Sequence, residues 1–173
     1  MERRKATEAE AAALASGVRL RIIRLTSDEA LTNKELAERL GRDPATTLHH
    51  VRKLVDTGFL VSQSPRRGNR GAKEIPYLSS GLSWALRFQG SGRERDLAEA
   101  MLAAYLSEIA EVDVGDLQQS RLVVRLDPDE LEELHERMRD LLDEFQARAD
   151  GRTPGDGKPR DKVAIYVTTY PSR

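Results

Sequence analysis

The apolar positions of the chain change period several times, and each change marks an element. Residues 8–16 (EAEAAALAS) are alanine-rich and favour helix. Val18, Leu20, Ile22, Ile23 and Leu25, with Arg19, Arg21 and Arg24 between them, predict a short buried helix. In LTNKELAERLG, Thr32 followed three residues on by Glu35 is a capping box. Leu36, Ala37 and Leu40 give that segment one apolar face, and Gly41 is its expected left-handed stop. In DPATTLHHVRKLVDTG (43–58), Asp43 can cap and Pro44 suits the first helical position. Thr47, Val51, Leu54 and Val55 recur at helical spacing, and Gly58 ends the run. Two short helices therefore meet across a tight turn at 41–43, the sequence form of a helix-turn-helix.

Beyond it the period drops to two. FLVSQS and AKEIPYLSS read as strands, and Pro76 in the second predicts an edge strand. The basic, glycine-rich PRRGNRG between them makes a hairpin tip, so the hairpin beside the helix-turn-helix is a wing. GSG at 90–92 is the expected boundary between a domain at 1–89 and another at 93–173. The second is predicted to hold a helix over 93–112 and a strand at 121–126 (RLVVRL). DPDELEELHERMRDLLDEFQARAD follows as a capped helix, GRTPGDGKPRD as a loop and KVAIYVTTY as a last strand. The fold class is α+β: an N-terminal winged helix-turn-helix domain, then a helix and a strand-helix-strand unit.

Charge sharpens this division. The 173 residues carry a net charge of −1. Residues 1–89 hold 16 Lys+Arg and 10 Asp+Glu, while 90–173 hold 12 and 19. A half at +6 can approach a polyanion, and a half at −7 is kept off it. There is no cysteine, which excludes disulfides and thiolate metal sites and is compatible with a reducing cytoplasm. No apolar run reaches the ~20 residues of a membrane span, and MERRKATEAE lacks the apolar core of a secretory signal.

A helix that reads the major groove needs an apolar anchor, short or forked polar groups near its start, and cations for the groove walls. The segment 44–56 offers all three. Ala45, Thr46, Leu48 and His49 project from its early turns, while His50, Arg52 and Lys53 suit phosphates or further base edges. Arg66, Arg67, Asn69, Arg70 and Lys73 furnish the wing at 65–73, in which no acid occurs. The alternative is an ordinary amphipathic helix with a solvated face. A metal reading of His49 and His50 fails on geometry, because helix neighbours point about 100° apart. His135 among Glu132 and Glu136 reads as a solvated face, so no metal or cofactor is expected.

The segment LASGVRLRIIRLTSDEALTNKELAERLGRDPATTLHHVRKLVDTGFLV resembles the winged helix-turn-helix of ArsR-type bacterial transcriptional regulators, over roughly residues 12–80. The resemblance implies a cytoplasmic homodimer that binds operator DNA, usually as a repressor released by an inducer. It makes Thr46, His49, His50 and Arg52 the outward positions of the recognition helix. Two departures limit the transfer. Leu48 stands where the family often has serine, and the cysteine metal sites of many members have no counterpart.

The second half lies outside that resemblance. Leu97, Met101, Tyr105 and Ile109 mark one side of the helix at 93–112 as a dimerisation face. The long helix carries Leu131, Leu134, Met138, Leu141 and Phe145 as a short heptad-like seam, for which a helix covering a two-strand sheet of its own chain is the favoured reading. A single helix on two strands makes a thin core, which also favours a second copy. Trp84, Phe88, Tyr105 and Phe145 are candidates for a small-molecule effector pocket, with protein core as the alternative. The function expected is a sequence-specific double-stranded DNA-binding regulator. The alternative is a winged-helix interaction module without DNA readout. No nucleophile–base pair or phosphate loop supports an enzyme.

Overall fold

The structure, a computed structural model, describes residues 3–68, 73–151 and 159–172. It forms two compact units, one running to Leu117 and the other starting at Gln118.

The first unit begins with β1 (Arg4–Lys5), which pairs in parallel with β7 (Leu86–Arg87). Next come α1 (Glu8–Leu14) and α2 (Gly17–Leu25). The start of α1 is fixed by a capping box of Thr7 and Glu10. The Glu10 carboxylate also takes two hydrogen bonds from Arg4, at 2.9 and 2.6 Å. That ion pair, with help from Thr7, lowers its pKa to about 2 against the desolvation that opposes it. Arg19 on α2 turns back to donate to the carbonyls of Ala12 (3.0 Å) and Ala13, satisfying the open end of α1.

The central elements follow the expected capping chemistry. Thr32 and Glu35 close a reciprocal box at the start of α3 (Asn33–Leu40), and Gly41 ends it at φ +60°. Asp43 caps α4 (Pro44–Asp56) by accepting from the N–H groups of Ala45 and Thr46 at 2.9 and 3.0 Å. The three-stranded sheet has the order β2-β6-β3, from β2 (Leu31–Thr32), β3 (Leu60–Ser62) and β6 (Pro76–Ser79). A smaller ladder of β4 (Arg66–Arg67) and β5 (Lys73–Glu74) extends the hairpin.

Pro76 therefore lies on the central strand, not an edge. It is tolerated because it is the first residue of β6 and is used through its carbonyl, which accepts from Gln63 N at 2.8 Å. Sequence patterning missed this because β2 is only two residues long and arrives from the far side of α3 and α4.

The core is continuous from α1 through α4 to β3 and β7. Ile22, Leu36, Val51, Leu54, Phe59 and Leu60 are its fully buried centre. α5 (Glu94–Ile109) also belongs to this unit, whereas the sequence placed it in the second domain. Leu97, Ala100 and Ala104 face inward. A Cβ added at Gly17 of α2 would meet Ala100 O and Ala104 N at 3.3 Å, so the two helices approach almost backbone to backbone. Arg21 pairs with Glu111 at 2.6 Å, and Arg24 with Glu108.

The second unit contains α6 (Pro128–Asp150), started by an Asp127 and Glu130 box. Residues 121–126 and 162–170 are not β-strands, contrary to the strand-helix-strand expectation. Both segments are rich in β-branched and apolar residues, yet neither enters a ladder. No helix among the described residues is long and apolar enough to cross a membrane.

Candidate nucleic-acid interface

α4 is presented by its neighbours on three sides. Thr47, Val51 and Leu54 are buried in the core. Thr47 Oγ1 donates to the Asp43 carbonyl at 2.9 Å, which ties the first turn to its cap. Asn33 Nδ2 donates to the Pro44 carbonyl at 2.9 Å, so α3 holds the start of α4 directly. The opposite face is open: Ala45, Thr46, His49, Arg52 and Lys53 are exposed. Arg42, which patterning passed over, is exposed in the turn just before them. Its position next to the Asp43 cap was the available signal.

Two of the expected outward residues behave differently. Leu48 is half-buried, so it belongs partly to the packing. His50 is half-buried as well, and its Nδ1 is buried without a hydrogen-bond partner among the described residues. Burial, then the nearby charges of Arg19, His49 and Arg42, hold its imidazole below the ordinary pKa. A phosphate contact by a charged His50 is therefore disfavoured. The reason is local: the ring is partly desolvated, and the Arg19 charge nearby opposes its protonation.

The wing ladder sets one pair of cations face to face. Arg66 lies opposite Glu74 in the ladder, and Arg67 lies opposite Lys73. Like charges directly opposite are destabilising in a ladder. Arg67 and Lys73 are both exposed, and an incoming anion would relieve that repulsion. Arg66 is engaged elsewhere: its guanidinium reaches both carboxylate oxygens of Glu35, at 2.5 and 2.6 Å. The Glu35 pKa is lowered, first by the hydrogen bond from the Thr32 backbone, with Arg66 contributing less. As a surface pair this contact is worth only ~0–1 kcal/mol, so a phosphate can displace it. Asn69 and Arg70 lie outside the described residues.

The dimerisation residues separate into two faces of α5. Leu97 is buried in its own protomer, because it packs with Ala100 and Ala104 toward the core, and it cannot serve a second copy. Met101 is exposed, as are Leu102 and Leu106, while Tyr105 and Ile109 are half-buried. The aromatic residues suggested for an effector pocket are also divided. Phe88 packs on the core, Trp84 receives the Arg3 guanidinium at 4.2 Å, and Phe145 belongs to the second unit beside Arg148. No cluster of three or more metal-ligating His, Asp or Glu occurs among the described residues.

Residues 14–63 match the model of a family described as "Helix-turn-helix domain". Among solved structures, reduced HlyU from Vibrio cholerae N16961 is 23% identical over 55% of this chain and 81% of its own, with a TM-score of 0.34. A double mutant of Lactococcus lactis ZitR in apo form is 17% identical over 78% and 86%, with a TM-score of 0.35. The zinc-dependent MarR family transcriptional regulator AdcR in its Zn(II)-bound state is 22% identical over 75% and 74%, with a TM-score of 0.31. Likenesses at this level carry no functional argument. No curated protein matches the chain.

Proposed function

We propose, from the premise that residues 14–63 are a helix-turn-helix domain, that the protein is a sequence-specific regulator that binds double-stranded DNA as a homodimer. The observation that carries this reading is the outward face of α4. It shows small and polar groups early (Ala45, Thr46, His49) and cations later (Arg52, Lys53), on a helix anchored by Thr47, Val51 and Leu54. In the major groove the early residues reach base edges and the later ones reach phosphates. Arg67 and Lys73 of the wing then lie along the backbone or the minor groove.

The exposed face of α5, with Met101, Leu102 and Leu106, supports association of two copies. Such a pair would set two α4 helices about 34–36 Å apart, one turn of the duplex. Occupying an operator in this way favours repression, with release by an effector as its natural control. A role on the genome would place the protein in the cytoplasm.

Selection of bound duplexes from a random pool tests the reading. A defined, twofold-related sequence should be enriched. Binding to it should fall by about 10³–10⁵ between 50 and 200 mM salt if the pair of copies makes 6–10 phosphate contacts. Thr46→Ala or His49→Ala should cost about 1–3 kcal/mol on the selected sequence and relax the preference at one position. Arg67→Ala with Lys73→Ala should weaken all duplexes alike and flatten the salt slope. Enrichment of no sequence, or the same response from both kinds of variant, would overturn it.

A further inference from the structure

Glu35 is committed twice. Its Oε2 accepts from the backbone N–H of Thr32 at 2.8 Å and from the Thr32 hydroxyl at 2.9 Å, which closes the start of α3. Both of its oxygens also accept from Arg66 Nη2, at 2.5 and 2.6 Å, across 31 positions of sequence. Another acid stands closer along the chain. Glu74 lies directly opposite Arg66 in the ladder, yet no ion pair joins them among the described residues. The Glu74 carboxyl lies over Gly68 instead, where an added Cβ would come within 2.2 Å of its carboxyl carbon. Arg66 therefore takes its carboxylate from the helix-turn-helix and not from its own hairpin.

The choice matters because a carboxylate and a phosphate offer arginine the same thing, a pair of anionic oxygens that accept its N–H groups. The Arg66 side chain is 47% exposed and that of Glu35 37%, so an anion from outside can reach the pair. The two Thr32 bonds fix the Glu35 carboxylate independently of Arg66, and the backbone one is the first cause of its lowered pKa. The charge therefore stays where it is when Arg66 leaves. We infer that Glu35 is an internal competitor for phosphate at the wing: in the free protein it fills the place on Arg66 that a backbone phosphate would take, and a phosphate captures Arg66 only by displacing that carboxylate. The inference rests on the DNA-binding reading and adds to it an acid that holds affinity down. Phosphate contacts carry no direct sequence information. The competitor thus lowers affinity for every duplex alike and leaves the base preference of α4 untouched.

A double-mutant cycle on the full chain tests this, with binding to a random-sequence duplex read by fluorescence anisotropy at about 50 mM salt, where phosphate contacts count most. Glu35→Gln removes the charge but keeps the box at the start of α3, since glutamine serves at that position as glutamate does. It should bind about two- to fivefold tighter per copy, the range an exposed ion pair allows. With Arg66→Ala already in place, the same change should gain less than half as much, because the competitor then has nothing to hold. Glu29→Gln frees Arg39 from a comparable exposed pair at 2.9 Å and controls for net charge; it should leave binding unchanged. Unchanged affinity in Glu35→Gln overturns the competition and leaves Glu35 a helix cap with a surface partner. An equal gain in the Arg66→Ala background, or from Glu29→Gln, also overturns it, since plain charge repulsion then accounts for the effect. In each of those cases the natural chain still binds DNA. If the natural chain binds no duplex at all, the DNA reading falls and the competition with it.

Discussion

The two units spend their apolar residues in opposite ways. The first buries Ile22, Leu54 and Phe59 completely within one chain. In the second, every described residue remains at least partly accessible, with Leu141 at 54% and Phe145 at 52%. Both segments show the hydrophobic spacing expected of a folded domain, so spacing alone does not say where the buried side will find its cover. In the first unit the cover is another element of the same chain. In the second, 121–126 and α6 bring apolar surfaces together without enclosing them.

This contrast is open to measurement. The largest effect should come from cutting into each unit by the same chemistry. Leu54→Ala should cost ~2–5 kcal/mol in chemical denaturation followed through Trp84, the cost of a cavity in a packed interior. Leu141→Ala should cost under ~1 kcal/mol in dilute protein, because little burial is lost there. Equal losses would erase the distinction. A smaller effect should follow Gly17→Val, at ~1–3 kcal/mol, since the added side chain meets the α5 backbone. Loss of helical signal confined to α5 would sharpen the assignment of that helix to the first unit, and an unchanged melting point would break it.

The smallest effect belongs to Glu10. Its carboxylate titrates lower in the folded protein than the ordinary value of 4.5, at about 2. The stability it supplies is present above 4.5 and fades as pH falls toward 2. Glu10→Gln should therefore be less stable than the natural chain at pH 6, with the gap narrowing through that interval and nearly closed below it. A gap that is constant across pH would assign the loss to packing or capping instead of charge.

The legible parts of the fold are those written in consecutive residues. Thr32 with Glu35, Gly41, and Asp43 with Pro44 each fix a helix end through contacts within four positions, and α3 and α4 begin and end where those residues require. The outward set on α4 was readable for Ala45, Thr46, His49, Arg52 and Lys53 because helical period alone separates them from Thr47, Val51 and Leu54. It failed for His50, whose surroundings include Arg19 from a different helix. The central position of Pro76 depended on a two-residue strand that no period can reveal. α5 was placed in the wrong half because Ala100 and Ala104 read as good helix formers, while the Gly17 that receives them lies more than 80 positions earlier. In the second unit the strand expected at 121–126 enters no ladder among the described residues.

Glu35 joins two parts that the sequence lists separately. The same carboxylate closes the start of α3 on Thr32 and grips Arg66 at the root of the wing. The finger is thereby moored to the scaffold that also steadies α4 through Asn33 and Pro44. On the proposed reading, a duplex would gain Arg66 as a further contact only by unmooring it from Glu35.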